Sequence, residues 1–118
     1  MMSQIRLADR LKALGSPIRV RLLSLILVAG EPVCVCELAD ALGLPEYKAS
    51  RHLSALKAAG FVVGEHKGPW VYYEPVPSDL LNALKPFLTP DPDDLVRLKD
   101  RMKKRREGLC VIGPQGGR

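Results

Sequence analysis

The chain has 118 residues, 47% of them apolar and 5% aromatic, which bounds it to one domain with an aliphatic core and excludes disorder by composition. Its formal net charge of +5 suits a polyanion such as nucleic acid. However, residues 97–107 carry that excess and the body before them is near neutral, so local placement must carry the argument. The three cysteines form no even disulfide framework and read as a reducing compartment. The longest apolar run, Leu22 to Ala29, falls far short of the roughly 20 residues of a membrane span, and the N-terminus lacks the apolar core of a signal peptide. A cytoplasmic protein with no membrane partner is expected.

In chain order, Leu7, Leu11 and Leu14 sit at i, i+4 and i+7 and predict one apolar stripe on a short helix over residues 3–14. Ser16 and Pro17 supply an N-cap and a first-turn proline for a mostly apolar, central helix over 17–29. Gly30-Glu31-Pro32 ends it. A short helix over 35–42 is broken by Gly43. Pro45 opens the next, with Glu46 near its positive end, and Gly60 stops it after about Ala59.

Two β-rich runs, Phe61–His66 and Trp70–Glu74, flank Lys67-Gly68-Pro69 and predict a hairpin. Ser78 caps a helix over 79–88. Asp91-Pro92 starts a last helix to about Arg106, with Leu95, Leu98 and Met102 on one side. This gives one domain over 1–106 and a flexible, glycine-rich tail over 107–118. The expected fold is mainly α with a small β-hairpin wing: helix, turn, helix, then hairpin is the plan of a winged helix-turn-helix.

In such a fold the second helix of the motif enters the major groove and its first turns meet base edges. At about 100° per residue, the face opposite Ala49, Leu53 and Leu56 centres on Tyr47, Arg51, Ser54 and Ala58, flanked by Lys48 and Ser50. Arg51 suits bidentate contact with guanine, and Ser50 and Ser54 suit several base edges. Tyr47 offers a ring with a hydroxyl. Lys57 and Lys67 suit phosphate. A solvated face of an ordinary helix is the plain alternative, and the hairpin that follows tips the balance toward double-stranded DNA. His52, at the edge of the core face, reads as packed and hydrogen-bonded. The cationic run of the last helix reads first as a solvated face and second as extra, salt-sensitive phosphate contact.

Cys34 and Cys36 form a C-x-C pair at the start of the motif's first helix. Thiolate is a soft ligand that selects thiophilic ions. A helix N-terminus favours the thiolate, with Glu37 opposing. On a regular helix, residues two apart point about 200° apart, whereas extended backbone puts them on one face. One ion therefore does not easily take both sulfurs while the helix stays regular, so binding is expected to distort or unwind the first turn, which positions the DNA-reading helix.

The run Ser50-Arg51-His52-Leu53-Ser54-Ala55-Leu56-Lys57-Ala58-Ala59-Gly60-Phe61-Val62 resembles the S-x-H-L-x-x-L-x-x-A-G-L-V signature of the ArsR/SmtB repressors. Lys67-Gly68-Pro69-Trp70-Val71-Tyr72-Tyr73 is similar to that family's wing, and Cys34-Val35-Cys36-Glu37-Leu38 to its metal box. The resemblance covers about residues 5–88. It implies a homodimer that represses its own operon, has no permanent cofactor and leaves operator DNA when an inducer ion binds. It also implies dimer contacts from the first helix and the helix after the wing, which the Leu7/Leu11/Leu14 stripe and Leu80, Leu81 and Leu84 suit.

The sequence also departs from that family. Ala39 stands where an arsenite-sensing pattern often has a third cysteine, and cysteines near the N-terminus are absent. Residues 79–88 hold no histidine and only Asp79 as an acid, which disfavours a zinc or nickel sensor. As(III) or Sb(III) is the expected inducer, with Cys110 as candidate third metal ligand beside Cys34 and Cys36, from the same or the other subunit; a stray tail thiol is the alternative. Other readings are a redox or persulfide sensor on the same scaffold and a C-x-C thiol–disulfide oxidoreductase. The latter lacks a thioredoxin-like βαβ pattern and any nucleophile–base pairing, so no enzyme is expected.

Overall fold

The computed structural model describes residues 3–106 and 108–110. Six helices and a three-stranded sheet follow in the order α1 (Gln4–Ala13), α2 (Pro17–Ala29), β1 (Val33–Cys34), α3 (Val35–Leu42), α4 (Glu46–Ala58), β2 (Val62–Lys67), β3 (Trp70–Pro75), α5 (Asp79–Leu84) and α6 (Pro92–Met102). Among the described residues no helix is long and apolar enough to cross a membrane.

The helix boundaries follow local chemistry. Ser3, Ser16 and Ser78 each accept a backbone N–H of the first turn with their side chains, and Asp91 accepts two, satisfying donors that a helix start leaves open. Gly43 closes α3 at φ 68°, a left-handed conformation that glycine enters at little cost. That residue makes the turn between the two helices of the motif. The helix expected over 79–88 stops at Leu84 and continues as a 3-10 turn, Lys85–Phe87, because Pro86 has no N–H to extend it.

The central helix is α2, with Leu22, Leu23, Leu25 and Ile26 fully buried against Leu38, Leu53, Leu56, Phe61 and Leu98. The sheet holds one strand more than the hairpin read from sequence. Its order is β1-β3-β2, all antiparallel. β1 is only two residues long, too short for any periodic signal, and it pairs Val33 with Tyr73 and Cys34 with Tyr72. The wing is thereby bonded to the residue that begins the helix-turn-helix.

The predicted solvated face of α6 holds for only part of the cationic run. Arg97, Arg101 and Arg105 recur every four residues and turn toward α3. Arg97 Nε donates to the Ala41 carbonyl at 2.6 Å, and Arg101 Nε to Asp40 at 2.6 Å. Arg105, just past the helix, bonds Glu37. Lys99, Lys103, Lys104 and Arg106 stay exposed. Asp94, buried at the start of α6, accepts two N–H arms of Arg21 at 2.8 and 2.9 Å and Arg97 at 2.6 Å. Packing also continues past Arg106: Cys110 is only 2% exposed. Glu107 and residues 111–118, the rest of the expected tail, lie outside the described residues.

Candidate metal centre and DNA-facing surface

Cys34 is not inside the helix. It is the N-cap of α3, with extended backbone at φ −72° and ψ 146°, and Cys36 lies in the first turn. This corrects the expectation that two sulfurs at this spacing diverge until the helix unwinds. One extended and one helical residue turn both side chains the same way, so Cys34 Sγ and Cys36 Sγ lie 3.0 Å apart on an intact helix. Cys110 of the same chain joins them, its Sγ 3.1 Å from that of Cys36. All three sulfurs fall within 4.8 Å of one another, fully buried, and none is in a disulfide.

Two rings and a set of charges enclose the sulfurs. Tyr72 and Trp70 of β3 pack against them. The Tyr72 hydroxyl accepts the Cys110 N–H at 2.7 Å. Glu37, fully buried, accepts the Cys34 N–H at 2.9 Å and two N–H arms of Arg105, at 2.6 and 2.7 Å. It thereby neutralises its own buried charge and caps α3. Arg105 also donates to Glu31 and to the Pro32 carbonyl, and stands 5.6 Å from the Tyr72 ring centre. Arg101 approaches Cys110 Sγ at 4.0 Å.

Contact with the Cys36 thiol pulls the Cys34 thiol down to about 7, against burial and the Glu37 charge. The same contact pushes Cys36 up, and burial adds to it. The Cys34–Cys36 pair thus gives up a first proton near neutrality and holds the second, a property of the pair rather than of either residue. Three adjacent soft donors, one of them readily ionised, can grip a thiophilic ion or be oxidised pairwise.

The DNA-facing assignments fall on the outer side of α4 and on the hairpin. Tyr47, Lys48, Arg51, Ser54 and Lys57 are exposed and Ser50 is half-buried, while Ala49, Leu53 and Leu56 face the core. The Arg51 guanidinium stands 5.9 Å from the Tyr47 ring centre, so the two form one joint surface. Lys67, at the hairpin turn, is exposed with its ammonium 5.6 Å from the Tyr72 ring. His52 stands apart from this surface: its Nδ1 accepts Arg19 Nε at 3.1 Å, tying α4 to α2.

Sequence reasoning missed the structural roles of Glu37, Asp40, Tyr72, Asp94, Arg101 and Arg105. A signal existed in the four-residue spacing of Arg97, Arg101 and Arg105 opposite Glu37 and Asp40, three apart on α3. Both are helix-face spacings.

Known proteins share this chain's sequence pattern and fold. Residues 16–63 match the sequence profile described as "Bacterial regulatory protein, arsR family". The chain is similar to the arsenic resistance transcriptional regulator ArsR1 of Pseudomonas putida, 37% identical over 100 residues that cover 76% of this chain and 77% of that protein. Among solved structures it is similar to HlyU from Vibrio cholerae, with 26% identity, a TM-score of 0.63 and coverage of 74% of this chain and 94% of that one. It is also similar to NolR from Sinorhizobium fredii, with 27% identity, a TM-score of 0.59 and coverage of 77% and 98%. The chain belongs to the arsR family of bacterial regulatory proteins, and it is a winged-helix, DNA-binding transcriptional repressor, not an enzyme.

Proposed function

We propose that this repressor acts as a cytoplasmic homodimer that leaves its operator when trivalent arsenic or antimony binds Cys34, Cys36 and Cys110 of one chain. The observation that carries the reading is the buried triangle of sulfurs within 4.8 Å. Its chemistry fits a three-bonded metalloid. Exchange of the three hydroxyls of arsenous acid for three thiols releases three waters and leaves an uncharged centre. A divalent ion on three thiolates would leave a net negative charge buried there, which is costly. The arsenic-resistance role named for the ArsR1 relative supports the same ligand.

On the DNA, Arg51, Ser50, Ser54 and Tyr47 read base edges while Lys48, Lys57 and Lys67 hold phosphates. Release follows by linkage: a ligand that binds the off-DNA conformer more tightly must lower DNA affinity by the same factor. The route does not need an unwound helix. The sulfurs sit where α3 meets β3, so drawing them onto one atom repositions the first helix of the motif against the root of the wing.

The test is operator-DNA anisotropy titrated with arsenite, antimonite, cadmium and zinc under reductant. Arsenite and antimonite are expected to weaken binding by about 5- to 150-fold. DNA affinity unchanged at saturating metalloid rejects the reading. The contact between the thiols, 3.0 and 3.1 Å, also favours a redox or persulfide sensor; release by persulfide but not by arsenite selects that one.

A further inference from the structure

The third sulfur comes from a part of the chain with no regular secondary structure, yet it is buried like the other two. Two contacts account for that. After α6 the chain reverses in a tight turn, in which Arg106 N donates to the Leu109 carbonyl and Leu109 N to the Arg106 carbonyl, both at 2.9 Å. Arg105 stands at the entrance to this turn. Its side chain is 7% exposed and reaches Glu37, which is 0% exposed. Cys110 stands at the exit, and its N–H donates to Tyr72 Oη.

We propose that Arg105 and Tyr72 are positioning residues for the third sulfur, fixing the two ends of the Arg106–Leu109 turn so that Cys110 Sγ stands at Cys36 before any inducer arrives. The proposal rests on the metalloid-sensing reading above and names the residues that make the site three-sulfur rather than two-sulfur.

A buried backbone N–H needs an acceptor, and the Tyr72 hydroxyl supplies one for Cys110, so the hydroxyl holds that residue at a fixed height above the sheet. A buried carboxylate needs a partner, and Glu37 takes Arg105 with two arms, so the entrance to the turn cannot drift without stranding a charge. The same Glu37 carboxylate accepts the Cys34 N–H, so one group fixes both the first sulfur's backbone and the approach of the third. Trp70, Tyr72 and the sulfurs form a closed cluster. These contacts settle the placement in advance and remove the ordering cost from ligand binding.

The experiment uses the full chain and six proteins: wild type, Tyr72→Phe, Arg105→Gln, Arg105→Lys, Cys110→Ala and Tyr72→Phe/Cys110→Ala. Tyr72→Phe removes only the hydroxyl and carries the test if Arg105→Gln does not fold. First, without ion, iodoacetamide labelling of each thiol is followed by peptide mass. Cys110 labelling is expected to accelerate about tenfold or more in Tyr72→Phe and Arg105→Gln, the scale of one missing buried hydrogen bond. Cys34 and Cys36 should stay slow, and Arg105→Lys should fall between.

Second, arsenite affinity is expected to fall by about ten- to a hundredfold in Tyr72→Phe and Arg105→Gln, as for residues that orient metal ligands. Tyr72→Phe should cost nothing further once Cys110→Ala is present, because both remove the same sulfur. Folded variants with wild-type Cys110 labelling, or penalties that multiply with Cys110→Ala, overturn the proposal. A wild type that binds no arsenite while the labelling pattern holds overturns the inducer reading and leaves the positioning role standing.

Discussion

Cys34 and Tyr72 face each other across the β1–β3 ladder, so the residue that caps the first helix of the DNA-binding motif shares a backbone rung with the root of the wing. A displacement of the sulfurs would therefore move the start of α3 and the root of the wing together. Trp70, the chain's one tryptophan, begins β3 and packs on the same cluster. Its emission is expected to change on arsenite addition and to saturate at one ion per chain. Cys34→Ser and Cys36→Ser should abolish the change, which a fluorescence titration with mass-spectrometric stoichiometry checks. Saturation at one ion per two chains would instead place the site between subunits.

The turn of the motif depends on Gly43, at φ 68°. A Cβ there meets no atom within 4 Å, so the cost of Gly43→Ala is backbone strain alone, about 1–2 kcal/mol for an L-residue in the left-handed region. Urea unfolding should show that loss with an unchanged m-value. Operator affinity of the folded fraction should stay near wild type, because the strain is local and the α3–α4 packing is untouched.

The basic face of α6 separates into two kinds of cation, and salt dependence distinguishes them. Lys103 and Lys104 are exposed; Arg97, Arg101 and Arg105 are engaged with α3. If the exposed lysines touch phosphate, Lys103→Gln/Lys104→Gln lowers the slope of log affinity against log salt by about 0.9 for each phosphate no longer neutralised, with stability unchanged. Arg101→Gln should act otherwise. It breaks a buried pair with Asp40, destabilising by about 3 kcal/mol, and leaves the salt slope of the remaining folded protein as it was.

Much of this could be read from the residues in order. Serine caps, Pro17 and Gly43 placed the helix ends they mark within a residue or two, whereas α5 and α6 stop at Leu84 and Met102, short of the expected 88 and 106; the Ala49/Leu53/Leu56 spacing identified the buried face of α4 because local periodicity sets which side packs. Cys34 and Cys36 were also legible as a thiol pair. Their convergence was not, since it turns on whether Cys34 lies just outside or just inside the helix. A two-residue strand decided that, through its pairing partner Tyr72 on the far side of the motif. The place of Cys110 beside Cys36, and the arginines that turn inward from α6, likewise depend on meetings between distant segments. Sequence spacing on one element cannot report these.

Acid should weaken the protein through Asp94 in a defined sense. Its hydrogen bonds with Arg21, then the charges of Arg21 and Arg97, hold the Asp94 carboxyl below its ordinary value despite burial. A carboxyl depressed in the folded state contributes stability that is complete above the unfolded value, about 3.9, and is lost as pH falls through the folded value. Arg21 and Arg97 are partly exposed, at 39% and 49% of their side chains, so solvent screens part of this. Asp94→Asn is expected to cost about 2 kcal/mol at neutral pH, the scale of charged hydrogen bonds removed. Its deficit against wild type should shrink as pH falls below about 4, measured by denaturant unfolding at stepped pH.

The homodimer proposed above needs a surface, and α1 offers one. Leu11 is 46% exposed and Leu7 37%, while Arg10 and Ala13 of the same helix are buried. Within one chain, Leu14 of that stripe packs against the core, while Leu7 and Leu11 are left exposed. Arg10 anchors α1 by donating to the Ala59 carbonyl at 2.9 Å and to Ser78 Oγ at 3.4 Å, which brings α1 beside the cap of α5, the other helix expected at the contact. Apolar side chains repeated along one exposed helix face gain most when a second copy covers them. Leu11→Asp should therefore leave the circular dichroism spectrum unchanged and shift sedimentation equilibrium from dimer toward monomer. It should also weaken operator binding well beyond any change in chain stability, because two half-sites would no longer be engaged together. A Leu11→Asp protein that sediments as the wild type does would remove α1 from the interface.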